Sequence, residues 1–156
     1  MPHDELALDH HFWRKISVDQ SFQNWFLSRT KFAGRDMRLV TDELWHQIWY
    51  RDPETGKDSE TDIFLVFVDR NSGERHAIHL ENKPAHARWE INQAQNYRKR
   101  ALNRMKVKRY VDFQVGLIAP TAFIFSWPEE RSHFDFTITY EEIEQFIPEF
   151  APPTKF

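Results

Sequence analysis

Hydrophobic positions change their period several times along the chain, and each change marks an element. Leu8, Phe12 and Ile16, then Phe22, Trp25, Phe26 and Leu27, recur at helical spacing between residues 5 and 31. Ser17 to Asp19 reads as a break with a fresh N-cap, which predicts two short helices, and Gly34 marks the exit. From Leu39 to Arg51 the text turns to strand, with Leu44, His46, Ile48 and Tyr50 alternating against Trp45, Gln47 and Trp49. Asp52 to Lys57 is a turn by composition and joins that strand to the next as a hairpin. The unbroken apolar run Ile63 to Val68 suits a strand buried on both faces. A second turn, Asn71 to Glu74, leads into Ala77 to Lys83 and completes an antiparallel meander of three strands. Helical period returns over residues 86 to 108, and Phe113 to Ala119 reads as another buried strand, stopped by Pro120. Phe134 to Thr139 alternates again, Tyr140 to Ile147 reads as a short acidic helix, and Pro148, Pro152 and Pro153 are expected to end the ordered chain. The expected order is α-β-β-β-α-β, an α/β fold.

Polar residues then stand where this pattern makes them conspicuous. Asp62 precedes the apolar strand, and Glu81-Asn82-Lys83 ends the following one. Successive strand residues point to opposite faces, so Glu81 and Lys83 share a face. If the two strands pair through their turn, Asp62 lies beside them. Two carboxylates and one amine then converge, a set suited to holding a divalent cation and activating water. On the next helix, at about 100° per residue, Gln93, Tyr97, Arg100 and Arg104 form one stripe beside the apolar stripe of Ile91, Ala94, Ala101, Leu102 and Met105.

At Asp62, Glu81-Asn82-Lys83 and Gln93-x-x-x-Tyr97 the chain resembles the PD-(D/E)xK nuclease superfamily. It looks most like the branch with a Gln-x-x-x-Tyr motif after the active-site strand, as in RecB-type and lambda-exonuclease-type nucleases. The motifs span residues 59 to 97, and the implied core covers about residues 39 to 120. The resemblance implies a restriction-endonuclease-like αβββαβ core, with a mixed central sheet flanked by helices. It also implies hydrolysis of phosphodiester bonds in DNA with Mg²⁺, for which Mn²⁺ can substitute. On this reading Asp62 and Glu81 are the ligands, with the backbone carbonyl of Asn82 as a third oxygen, since Mg²⁺ prefers few carboxylates plus water and phosphate. Lys83 contacts the attacked phosphate or the water, or it forms a salt bridge to Glu81, and both can hold in the metal-free protein. Gln93 and Tyr97 support the site. Arg88, Arg98, Arg100 and Arg104 are the candidate phosphate contacts. The family commonly adds an acid from its first helix. Glu5, Asp9 and Asp19, and Glu43 on the first strand, all qualify by type, and nothing in the sequence selects among them.

Composition narrows this little. At 156 residues the chain is expected to be one domain over 1–156, able to bury roughly 70% of its unfolded surface. The absence of cysteine removes disulfides and thiolate zinc sites. His76 and His79 lie on opposite strand faces and make a poor zinc pair, although His79 shares the face of Glu81 and Lys83. No apolar stretch is long enough for a membrane span and no targeting motif is present, so the expectation is a cytoplasmic protein with no membrane partner. Net charge is −3, yet Arg98 to Arg109 holds seven basic residues and no acid. That patch suits a nucleic-acid partner and equally suits a solvated helix face. Cleavage of RNA, a non-catalytic binding module on the same fold, and a homodimer stay open. So do endonuclease against exonuclease mode and sequence preference.

Overall fold

Asp19 separates the first two helices and serves both. The computed structural model describes residues 4–41, 48–51, 58–85, 87, 93–108 and 110–152; within them the side chains at 48–50, 58–60, 93, 94, 97, 104, 107 and 108 lie outside the description. Helix α1, Glu5–Val18, starts at Asp4, whose side chain accepts from the Ala7 N–H. Helix α2, Gln20–Ser28, starts at Asp19, whose Oδ1 accepts from the Phe22 N–H at 3.0 Å. Each bond satisfies a donor that the first turn of a helix leaves unpaired.

The main sheet has five strands in the order β1-β4-β5-β6-β7. These are β1, Met37–Leu39; β4, Ile63–Asp69; β5, Arg75–Asn82; β6, Asp112–Ala119; and β7, Phe136–Thr139. The pairs β1–β4 and β4–β5 are antiparallel, and β5–β6 and β6–β7 are parallel, so the sheet is mixed. Two more strands, β2, Ile48–Arg51, and β3, Asp58–Thr61, pair with each other and, among the described residues, with no other strand.

This corrects the strand expected over Leu39 to Arg51. Among the described residues of that span, Leu39 alone belongs to the main sheet, whose first strand begins at Met37. Residues 48–51 form the separate ribbon, and residues 42–47 and the turn at 52–57 lie outside the described residues. Alternation marks a pleated strand but cannot say which sheet the strand joins. The second turn is as expected: Gly73 has φ 74°, and the Asp69 carboxylate accepts from the N–H groups of Asn71 and Ser72. Helix α3, Gln93–Lys108, falls within the predicted 86–108, of which 86 and 88–92 are outside the description.

Two helices were not expected. Pro120 both ends β6 and caps α4, Thr121–Ser126, and α5, Pro128–Arg131, follows. Helix α6, Tyr140–Ile143, is shorter than the predicted 140–147. Order also continues past Pro148, where a 3₁₀ turn, Pro148–Phe150, buries Phe150. Proline at the first position of a helical turn loses no hydrogen bond, so here it starts structure.

Side chains on alternate strand positions divide the core between the two faces. On one face Ile63, Leu65, Phe67, Ile78 and Leu80 pack against Leu8, Phe12 and Ile16 of α1, Phe22 and Phe26 of α2, and Ile143 of α6. On the other, Val115, Leu117 and Ala119 pack with Ala101 of α3 and Phe123 and Ile124 of α4. Beside them, Phe64, Val66 and Ala77 pack with Tyr110. Strand β4 is covered on both faces, as its unbroken apolar run requires. Among the described residues no helix is long and apolar enough to cross a membrane.

Candidate metal centre

Asp62 occupies the bend between β3 and β4, where the chain leaves the ribbon and enters the main sheet. The antiparallel register pairs Ile63 with Leu80, so Asp62 lies across from the last residues of β5. There its Oδ2 accepts the Asn82 N–H at 2.9 Å. The sequence expectation that Asp62 lies beside the end of the next strand therefore holds.

Glu81 and Lys83 share a face, and Lys83 Nζ stands 3.5 Å from Glu81 Oε1. Both are nearly closed to solvent. Lys83 N–H donates to Ile118 O on β6 at 2.8 Å, which keeps the chain extended past the end of β5 up to Pro84. Backbone groups of adjacent strand residues point to opposite edges, and the N–H and C=O of one residue share an edge. Since Lys83 faces β6, the backbone of Asn82 faces Asp62. His79 is fully buried on the Glu81 side, with Nδ1 3.0 Å from Thr61 Oγ1 and its ring against Phe64.

The first-helix acids that sequence could not choose among are separated by packing. Glu5 and Asp9 are one helical turn apart on α1, and one carboxylate oxygen from each lies within 4.8 Å of the other and of an Asp62 oxygen. Asp9 is buried, while Glu5 and Asp62 are half-buried. The Asn82 amide links this group together: Nδ2 donates to Asp9 Oδ1 at 2.7 Å, and Oδ1 accepts from the hydroxyl of Tyr140. Sequence reasoning named both acids without choosing them, although a signal was present. Positions 5 and 9 continue the inward stripe of Leu8, Phe12 and Ile16, so acids stand where the helical period asks for apolar residues.

Electrostatics follow from this crowding. Burial raises the Asp62 carboxyl well above the ordinary range, and the charges of Glu81, Asp9 and Glu5 raise it further, against a smaller opposing pull from the Asn82 N–H. Burial, and then the charges of Asp9, Glu5 and Asp62, push the Tyr140 hydroxyl upward, so it stays protonated and donates. The carboxyl groups of Glu5, Asp9 and Asp62 suit a hard divalent cation: the donors are all oxygen, and a cation would relieve their repulsion.

Gln93 and Tyr97 stand on the first turns of α3, which packs on β5 and β6. Their side chains, and that of Arg104, lie outside the description, as does all of Arg88. Arg98 is held by Asp135 Oδ1 at 2.6 Å and by His133 O. Arg100 is only 3% exposed and turns inward beside Ala101. The solvent-facing cations of α3 include Lys99 and Lys106 instead. No model of a known protein family matches the chain, and no curated protein matches its sequence.

Proposed function

We propose that the protein is a divalent-metal-dependent nuclease of the PD-(D/E)xK kind, hydrolysing phosphodiester bonds in DNA. The observation that carries this reading is the meeting of Glu5, Asp9 and Asp62 within 4.8 Å at the end of β5 that presents Glu81 and Lys83. A helix acid, an acid entering one strand and an Glu-x-Lys triplet ending the next are the parts that the resemblance calls for. The β4–β5 hairpin, the parallel β6 and the covering helices α1 and α3 supply an order compatible with the restriction-endonuclease-like core.

In this reading Glu5, Asp9, Asp62 and Glu81, with the Asn82 carbonyl on the Asp62 side, would hold Mg²⁺ or Mn²⁺. Such an ion polarises a phosphoryl oxygen and lowers the pKa of bound water. Lys83 places its ammonium beside Glu81, where it can meet negative charge developing on the attacked phosphate. Gln93 and Tyr97 remain the candidate supports from α3; Arg88, Arg98 and Arg104 remain candidates for holding the nucleic acid, joined by Lys99 and Lys106, while the burial of Arg100 makes it a structural residue instead.

The test is incubation with single- and double-stranded DNA and with RNA, in Mg²⁺, Mn²⁺ or EDTA, alongside Lys83→Ala and Asp9→Asn. The expected result is metal-dependent cleavage of DNA that both substitutions abolish. Cleavage confined to RNA would move the substrate class, and no cleavage of any polymer with either ion would overturn the proposal.

A further inference from the structure

The middle residue of the Glu-x-Lys triplet has more partners than a spacer needs. Asn82 gives its backbone N–H to Asp62 Oδ2 at 2.9 Å and its side-chain Nδ2 to Asp9 Oδ1 at 2.7 Å. One residue therefore grips two carboxylates that arrive from different elements, the bend before β4 and helix α1. Nδ2 also reaches toward the Glu5 backbone carbonyl at 3.5 Å, at the start of the same helix.

An amide can turn end for end, and only one orientation offers N–H to a carboxylate. The carboxylate of Asp9 rules out the other, in which two acceptor oxygens would meet, and the hydrogen bond at Oδ1 reinforces the choice. Asn82 Oδ1 accepts from the Tyr140 hydroxyl, so rotation would place Nδ2 against that hydroxyl and Oδ1 against the Asp9 oxygen. Tyr140 is itself held: it is 2% exposed, opens α6 within the Thr139–Glu142 capping box, and meets the Phe150 ring edge-on at 4.9 Å. The fixed order is Tyr140 O–H to Asn82 Oδ1, then Asn82 Nδ2–H to Asp9.

We infer that Asn82 and Tyr140 are positioning residues of the metal centre, Asn82 as a strut that sets Asp9 and Asp62 at their separation and Tyr140 as the lock on its amide. This rests on the metal reading given above. It brings the last quarter of the chain, outside all of the sequence motifs, into the construction of the site. Partners that orient ligands in this way typically contribute about 10- to 100-fold in metal affinity.

The experiment measures Mn²⁺ binding by calorimetry, together with the melting temperature with and without Mn²⁺, for wild type, Tyr140→Phe and Asn82→Ala. Tyr140→Phe keeps the ring on Phe150 and removes only the lock; Asn82→Ala keeps the backbone bond to Asp62 and removes the strut. Tyr140→Phe should bind Mn²⁺ about tenfold more weakly and Asn82→Ala closer to a hundredfold. The stabilisation by Mn²⁺ should shrink accordingly, since a ligand stabilises in proportion to the logarithm of its concentration over Kd. Cleavage by Tyr140→Phe should recover at saturating Mn²⁺. A merely structural role lowers the metal-free melting temperature and leaves Mn²⁺ affinity unchanged, and that result in Tyr140→Phe overturns the inference even if Asn82→Ala fails to fold. A wild type that binds no Mn²⁺ removes the metal centre and this inference together, whereas binding that is normal in wild type and in Tyr140→Phe removes this inference alone.

Discussion

The Lys83 ammonium stands 3.5 Å from the Glu81 carboxylate, and the same contact serves two opposed readings. As a structural tether it would hold Glu81 in place. As a catalytic group it would stabilise charge on the phosphate. The readings separate in Lys83→Ala. Groups that meet developing charge contribute about 10²- to 10³-fold in rate, so cleavage should fall by at least about a hundredfold while metal and DNA binding change little. If saturating Mg²⁺ restores the wild-type rate, Lys83 is a tether and the mechanism is wrong at its centre. Asp9 presents a related case, since a buried acid on an otherwise apolar helix stripe costs stability unless its partners and a ligand offset it. Its hydrogen bond from Asn82 is one such offset.

At the scale of elements, much of the architecture was legible because it rests on local rules. The two N-terminal helices followed from the periodicity and from Asp19, and the β4–β5 hairpin from the run at Ile63 and the turn around Gly73. What stayed hidden depends on which elements meet. No rule of period or propensity says that α1 crosses the end of β5, so Glu5 and Asp9 could not be chosen over Asp19, nor could Asn82 be seen to reach Tyr140 across 58 positions. Helices α4 and α5 are short and start at prolines, and proline was read only as a stop. Two predictions belong here. A Cβ on Gly116 of β6 would lie 2.3 Å from the Phe136 ring of the paired strand β7, and that ring is also packed on Phe26. Gly116→Ala should therefore destabilise by about 1–3 kcal/mol, the usual cost of overpacking, measured by denaturant unfolding; a wild-type midpoint would show that the ring moves freely. On α3, Lys99 and Lys106 are exposed and Arg100 is buried, so the proposed phosphate contacts fall to the two lysines rather than to Arg100. Lys106→Ala should lessen the slope of log DNA affinity against log salt by about 0.9, while Arg100→Ala should chiefly lower stability. An unchanged slope in both Lys99→Ala and Lys106→Ala would make the basic helix a solvated face.

Across the whole molecule, the two ends of β5 carry opposite electrostatics. Asn82 and His76 are about 20 Å apart at 3.3 Å per residue. At the His76 end the acids are well matched with donors. Burial raises the Asp112 carboxyl, but its bonds to His76 and Lys31 outweigh this and hold it below the ordinary range. Asp69 is held low by Arg35, at 2.7 Å, and by the N–H groups of Asn71 and Ser72. At the Asn82 end Asp62 is raised. The signs follow. Carboxyls depressed in the folded state contribute stability above their unfolded pKa near 3.8, and it is lost as pH falls through their folded values. Asp62 does the reverse: its ionisation costs stability above its raised folded pKa, and the cost fades as pH falls toward 3.8. Metal-free protein should therefore be most stable at mildly acidic pH, losing stability below it through Asp69 and Asp112 and above it through Asp62. Asp62→Asn keeps an oxygen to accept the Asn82 N–H but cannot ionise, so it should remove the loss on the neutral side. Each 1 kcal/mol of repulsion relieved should raise the melting temperature by about 2–4 °C for a chain of this size. Mn²⁺ should raise the neutral side in wild type, where it offsets the same repulsion, and have little effect in the variant. Melting curves from pH 3 to pH 8, with and without Mn²⁺, test both arms; if Asp62→Asn parallels wild type throughout, Asp62 is not the strained acid of a metal centre, and the site must be sought elsewhere.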